Sequence, residues 1–192
     1  INKNFATTNM VETLWCANEE FDEEIIISYG DIIYELRILK ALLESEHKIS
    51  VVIDKQWESY WANRFENPLD DAESLRVDSE GKILEIGQKM EDITKIEGQF
   101  IGLLKFQGEG LKTLISAYQE GKKCSLNGKW PAGCDRKFSK IYMTDLLTGI
   151  IDLGHEIFEV PVQRGWVEID SVTDYHIALD RIQLKGNNLK IT

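Results

Sequence analysis

Two short, continuously apolar stretches on either side of an amphipathic segment constrain the fold of this chain more than any other feature. "EIIIS" (24–28) and "KISVVID" (48–54) are rich in β-branched residues, which is typical of strands covered on both faces. Between them, "YELRILKALLESE" (34–46) places its leucines on one face of a helix. A helical segment that begins near Met10 precedes both. This order of helices and strands predicts an α/β fold with a layered sheet.

The rest of the chain continues this alternation after an aromatic and acidic region. Its predicted elements are, in order, a hairpin (74–89), a strand (98–106), a helix ending at Gly121 (109–121), a helix (142–154), two strands (155–162 and 165–170) and a helix capped by Ser171 (171–183). Residues 1–183 are therefore predicted to form one domain. The remaining residues, 184–192, are predicted to be a frayed tail.

The charge and the cysteine content exclude several classes of protein. The net charge is −11 over 192 residues, which argues against a nucleic-acid binder, although one nucleotide could bind through a metal ion. No apolar run reaches the length of a membrane helix, and no signal peptide opens the chain. The three cysteines, Cys16, Cys124 and Cys134, fit neither a disulfide framework nor a zinc site, which indicates a cytoplasmic protein.

Acidic residues follow two of the predicted strands at their carboxyl ends, where ligands bind in open α/β sheets. Asp31 comes after Gly30, which has no Cβ and lets a ligand approach the backbone. Glu168 and Asp170 are two residues apart in a strand and share one face. Such carboxylates could form a Mg²⁺ site. The alternatives are that Gly30–Asp31 is only a turn and that Asp170 only favours the start of the next helix.

Five motifs in order resemble the GT-A-like nucleotidyltransferases, especially those acting on phosphocholine and on phosphonates, including domains that accompany phosphoenolpyruvate mutase. The motifs are "SYGDII", "ILEIGQK", "IEGQFIGLLKF", "YMTDLL" and "GWVEIDSVTDY", and the resemblance covers residues 7–182. It implies a three-layer, Rossmann-like GT-A core with a mixed, mostly parallel sheet. The implied reaction is Mg²⁺-dependent: an acceptor oxygen attacks the α-phosphorus of a nucleoside triphosphate, CTP by preference, and pyrophosphate leaves.

The resemblance also implies roles for individual residues. Asp31 and Asp170 would hold the catalytic Mg²⁺, with Glu168 as a helper that also contacts the acceptor. Lys89 would bind the acceptor's phosphate and take part in catalysis, although the family often has proline where this chain has Met90, and Lys89 could equally be a solvated hairpin residue. Four residues would approach the nucleotide: Thr8, Asn9, Tyr29 and Gly30. Helix capping alone would explain Thr8 and Asn9.

The acceptor is predicted to be a small phosphate or phosphonate monoester such as phosphocholine or aminoethylphosphonate. Trp57 and Trp61 lie four residues apart, close to Asp70 and Asp71, and could surround an ammonium group. The other interpretation is that these tryptophans pack in the core or in a lid. A sugar 1-phosphate acceptor also stays open, whereas a glycosyltransferase is disfavoured because Asp31 is not part of an Asp-x-Asp motif.

The glycine-rich loop that wraps the triphosphate in this family does not occur in the chain, which opens with Ile1. The sequence therefore predicts an N-terminally incomplete nucleotidyltransferase core that is weakly active alone. One side of its sheet would be exposed, which would favour a homodimer. Besides a nucleotidyltransferase and a glycosyltransferase, the remaining hypothesis is a non-catalytic domain that keeps the fold but only binds a nucleotide or a partner.

Overall fold

The computed structural model describes residues 1–126, 129–186 and 188–192. Its α-helices are α1 (Met10–Trp15), α2 (Leu36–Glu44), α3 (Glu58–Arg64), α4 (Glu109–Cys124), α5 (Met143–Asp152) and α6 (Val172–Arg181). Its strands are β1 (Glu24–Ser28), β2 (Ile32–Tyr34), β3 (Ile49–Asp54), β4 (Glu73–Val77), β5 (Ile83–Lys89), β6 (Gln99–Gln107), β7 (Phe158–Val162), β8 (Trp166–Glu168), β9 (Ile182–Lys185) and β10 (Asn188–Ile191). No helix in the described part of the chain has the length and apolarity that a membrane span requires.

The central sheet has four strands in the order β1-β6-β3-β7. β6 is antiparallel to both β1 and β3, and β3 is parallel to β7. Consequently β1, β3 and β7 point the same way and β6 alone runs against them. This confirms the predicted α/β fold with a mixed sheet, mostly parallel in the direction of its strands.

The two faces of β3 supply two separate hydrophobic cores, because alternate residues of a strand point to opposite sides of the sheet. Val51 and Ile53 pack with residues of α4 and α5, whereas Val52 packs with residues of α2 and α3. Every residue of β3 is buried. Each fully buried Val or Ile contributes about 1.5–3 kcal/mol of burial free energy. The three-layer architecture follows from this alternation.

Three two-stranded sheets complete the fold: β4 with β5, β2 with β8, and β9 with β10. The first is the predicted hairpin, in which the N–H of Asp78 donates to Lys82 O and Gly81 adopts a positive φ of 81°. The second joins parts of the chain far apart in sequence, with Ile32 opposite Glu168. This pairing determines where the predicted acidic residues lie.

The structure corrects three details of the predicted elements. β1 lies at an edge of the sheet and is not covered on both faces, since Ile26 is 38% exposed. α4 continues past Gly121, whose missing side chain leaves room for Trp130; a Cβ there would lie 2.5 Å from the indole ring. The tail 184–192 is not frayed, because most of it belongs to the β9–β10 hairpin and Ile191 is buried. Residue 187 of that tail lies outside the described residues.

Candidate active site

The β2–β8 pairing brings the predicted acidic residues together at one end of the molecule. Asp31 occupies the turn between β1 and β2, and its carbonyl oxygen accepts from the N–H of Ile169 at 2.9 Å. Glu168 ends β8, and Asp170 follows two residues later. The three carboxylates thus converge although about 140 residues separate them in the chain. This convergence is what the strand-end pattern predicted.

These residues line a cavity of about 500 Å³ with an acidic wall. Its lining includes six acids, Asp31, Asp70, Asp71, Glu73, Glu168 and Asp170, against two bases, Lys89 and Arg136. The other lining side chains include Tyr29, Trp61, Gln99, Tyr142 and Thr144. Because like charges facing one cavity repel each other, this wall favours a cationic ligand.

The pKa shifts show that the acids interact with one another. The pKa of Glu168 is raised to about 7, chiefly by burial; the charges of Asp170 and Asp31 also raise it, whereas Arg64 lowers it. Burial likewise raises the pKa of Tyr29, with added contributions from the charges of Glu73, Glu168 and Asp31. Glu73 also has a raised pKa, again chiefly because it is buried.

Arg64 holds two of these acids, and the sequence had given no sign of it. Its guanidinium donates to Glu168 Oε2 at 2.6 Å, to Asp170 Oδ2 at 2.8 Å and to Asp174 Oδ1 at 2.8 Å. The hydroxyl of Tyr60 also accepts from the N–H of Glu168 at 2.8 Å. The end of β8 is therefore fixed by side chains that follow β3 in sequence.

The carboxylates suit Mg²⁺, which takes oxygen ligands and usually only one or two of them from protein carboxylates. Asp31 makes no side-chain hydrogen bond to any described residue, and Asp170 uses one oxygen on Arg64. Across residues 1–126, 129–186 and 188–192, no three His, Cys, Asp or Glu side chains form a ready metal cluster. Glu168 and Asp170 each use one carboxylate oxygen on Arg64, so all three predicted acids keep at least one oxygen without a hydrogen bond to a described residue.

A second cavity, of about 570 Å³, adjoins the first and shares Met10, Tyr29 and Asp31 with it. All four residues predicted to approach a nucleotide line it: Thr8, Asn9, Tyr29 and Gly30. Asn9 is also the N-cap of α1, since its side chain accepts from the N–H of Met10 at 2.9 Å. Their contact with a nucleotide remains a prediction.

The two basic residues of the acidic cavity differ in whether their charge is already paired with an acid. Lys89 ends β5 opposite Glu73, is exposed, and has no ion pair with any described residue. Arg136, which sequence reasoning missed, donates to both oxygens of Asp145 at 2.9 and 3.1 Å and lies 4.3 Å from the ring centroid of Tyr142. Lys89 therefore has the free charge that binding a phosphate requires.

The structure does not bring Trp57 to the cavity. Its side chain is 1% exposed and packs in the second core against Trp61. Trp61 reaches the cavity wall, but it is itself buried, and its indole N–H donates to Asp71 Oδ2 at 2.9 Å. For Trp57, the packing interpretation is the one that the structure supports, because helical spacing of four residues serves a buried face equally well. Contact of Trp61 with an ammonium group remains a prediction.

Comparisons with known proteins place these observations in a family. No protein-family model matches the chain. CTP:phosphoglutamine cytidylyltransferase from Campylobacter jejuni is 33% identical over 187 residues, covering 94% of this chain and 71% of the relative. Among solved structures, the inositol-1-phosphate CTP transferase of T. maritima superposes with a TM-score of 0.61 at 18% identity, over 90% of this chain and 60% of that one. CTP:phosphocholine cytidylyltransferase from Streptococcus pneumoniae gives 0.59 at 14% identity, over 92% and 64%.

The fold is thus that of the GT-A-like nucleotidyltransferases. The chain spans somewhat less than two thirds of the length of these two solved structures. At the identity and coverage of the Campylobacter relative, the chain belongs to the nucleotidyltransferase family of the cytidylyltransferase type, which is a family of enzymes.

Proposed function

We propose that this chain transfers the CMP group of CTP to a small phosphorylated acceptor and releases pyrophosphate. The observation that carries the proposal is the convergence of Asp31, Glu168 and Asp170 on one cavity beside the free Lys89. CTP is the expected donor because the Campylobacter relative is a CTP-dependent cytidylyltransferase. Transfer at phosphorus depends mainly on positioning and charge neutralisation, which such a site can provide.

Asp31 and Asp170 are the residues that would hold Mg²⁺, with Glu168 behind them. The ion would supply charge neutralisation at the phosphate oxygens. Asp31 offers a side chain with no hydrogen bond among the described residues, and Asp170 offers one free oxygen. Neither carboxylate has to give up a buried contact in order to bind the ion. The chain's own contribution is therefore a preformed acidic wall.

The remaining roles follow from the charges and the shapes of the two cavities. Lys89 would attract the acceptor's phosphate as an exposed point charge at the mouth of the acidic cavity. The neighbouring cavity beside α1, lined by Thr8, Asn9, Tyr29 and Gly30, would take the nucleoside. Asp31 belongs to both cavities and therefore lies where donor and acceptor would meet.

The acceptor that suits this cavity carries an amino or ammonium group besides its phosphate. Six acids against two bases favour such a cation over a neutral sugar. Phosphocholine and aminoethylphosphonate have this chemistry. The name of the Campylobacter relative adds phosphoglutamine, since an amino acid also bears an ammonium group. Sugar 1-phosphates are the contrasting class.

A pyrophosphate-release assay tests the proposal directly. CTP, UTP and ATP would each be combined with phosphocholine, aminoethylphosphonate, phosphoglutamine and glucose 1-phosphate in the presence of Mg²⁺. We expect release with CTP and an amine-bearing acceptor, loss of release on chelation with EDTA, and loss in Asp31→Asn. Asp22→Asn is the matched control, because Asp22 is exposed and lies outside both cavities. Binding of CTP without release from any acceptor would instead identify a non-catalytic domain.

A further inference from the structure

Arg64 uses each nitrogen of its guanidinium on a different carboxylate. Nε donates to Asp174, Nη1 to Glu168 and Nη2 to Asp170, all within 2.8 Å. The Arg64 side chain is 2% exposed, Glu168 is 20% exposed and Asp170 is 53% exposed. The guanidinium therefore links the buried Asp174 to two acids of the cavity wall.

Asp174 and the aromatic rings around Arg64 hold the guanidinium in place. Asp174 is the N3 residue of α6, and it accepts from both the N–H and the hydroxyl of Ser171 in a capping box. The guanidinium also lies 5.2–5.7 Å from the ring centroids of Tyr60, Trp61 and Phe65. Burial alone would lower the pKa of Arg64, but its hydrogen bonds to Asp174 and Glu168 raise it above the ordinary value. Arg64 thus stays charged and fixed in direction.

The charge balance of this cluster does not suit a purely structural ion pair. One positive charge meets three carboxyl groups, and Asp31 lines the same cavity as two of them. One carboxylate would be enough to neutralise a buried arginine, so two of the three acids that Arg64 contacts are not needed for that purpose. The surplus negative charge faces the cavity, on the half-exposed side of Asp170.

We propose that Arg64 is a positioning residue that holds Glu168 and Asp170 in the geometry that a divalent cation needs. The inference rests on the proposed function, because it requires these acids to bind a cation. A planar guanidinium can fix three carboxylates at defined angles, whereas a lysine ammonium is a point charge on a flexible stem. The role therefore depends on the shape of Arg64 as well as on its charge.

The test measures Mn²⁺ binding to the 192-residue chain by electron paramagnetic resonance, with Mn²⁺ as the probe because it takes the same oxygen ligands as Mg²⁺. Arg64→Lys keeps the charge and loses the three-way geometry. We expect its Mn²⁺ dissociation constant to rise about 10- to 100-fold, as is typical when a residue that orients metal ligands is replaced. Arg76→Lys is the matched control. Arg76 is exposed on the β4–β5 hairpin, and its ion pair with Glu85 is long, at 3.9 Å.

A second variant covers the case in which Arg64→Lys does not fold. Arg64→Gln with Asp174→Asn removes one positive and one negative charge together, so the net charge is unchanged and the buried pair becomes neutral. We expect the same 10-fold or greater loss of Mn²⁺ affinity.

Two different results would overturn the inference, and they can be told apart. A folded variant that binds Mn²⁺ within about twofold of the wild type shows that Arg64 is only structural, while the proposed function stands. If the wild-type chain itself binds no Mn²⁺ and releases no pyrophosphate, the proposed function fails and the positioning role fails with it.

Discussion

Asp54 offers the sharpest test of how the fold supports the site. It ends β3, is fully buried, and its carboxylate accepts four hydrogen bonds. These come from the N–H of Gln56 at 2.9 Å, the N–H and Nη1 of Arg164 at 3.0 and 2.8 Å, and Nε1 of Trp166 at 2.8 Å. Arg164 has a positive φ of 48°, which is strained for a residue with a side chain. Asp54 thus stabilises the turn that leads into β8.

Asp54→Asn is expected to destabilise the protein strongly even though it preserves shape. One oxygen can still accept from the two backbone N–H groups. The new amide group would, however, face the donors of Arg164 and Trp166, leaving a mostly buried charge without its partner. Breaking such a pair costs about 3–5 kcal/mol, which corresponds to a fall in melting temperature of roughly 6–20 °C for a domain of this size.

Urea denaturation followed by tryptophan fluorescence would measure this free energy. Asp180→Asn is the control, because Asp180 is exposed and forms no side-chain hydrogen bond among the described residues; it should change stability by less than about 0.5 kcal/mol. A loss below about 1 kcal/mol for Asp54→Asn would refute the reasoning, since it would mean that the buried donors find other partners.

Three further predictions concern the cavity and the two cores. Asp31→Asn should lower the rate of pyrophosphate release by about 100-fold or more while leaving the melting temperature unchanged, because its carboxylate serves the cavity and no internal contact. Gly149→Ala should cost about 1–3 kcal/mol in urea denaturation, because its new Cβ would lie 2.2 Å from the ring of Trp130; equal stability would show that the indole can move freely. Trp57→Phe should cost about 1–3 kcal/mol and leave the KM for the acceptor unchanged, whereas a selective rise in that KM would return Trp57 to the site.

The strands and most helices could be predicted because their residues carry local signals. The apolar run 49–54 marks a strand buried on both faces, and Ser171 marks the start of α6 by its capping box. Asp31 and Asp170 could be predicted as neighbours from their places after strands, but the antiparallel pairing of β2 with β8 that brings them together could not be read from the local sequence. The prediction that β1 is covered on both faces was wrong. Its composition matches that of β3, but its position at the edge of the sheet is set by strand pairing and not by local sequence.

The residues that the sequence did not reveal are those whose partners are distant in the chain. Arg64 is a charged residue at the end of a short helix, and nothing near it indicates that Asp170, 106 positions later, is its partner. Arg136 likewise reaches the cavity only through the folding of distant parts of the chain. Trp57 shows the converse error, since a pattern that suits a ligand pocket equally suits a core.

The two-stranded β2–β8 sheet, which positions the acids of the candidate site, is short and needs support from elsewhere in the chain. β2 and β8 pair over only three residues each, and an isolated two-stranded sheet of that size is barely stable. The additional support comes from the segment that follows β3. Asp54 holds the turn before β8, the Tyr60 hydroxyl bonds both backbone groups of Glu168, and Arg64 holds the acidic side chains beyond it. One segment of eleven residues, 54–64, carries all three supports, so substitution of Asp54, Tyr60 or Arg64 should impair the site without touching a ligand.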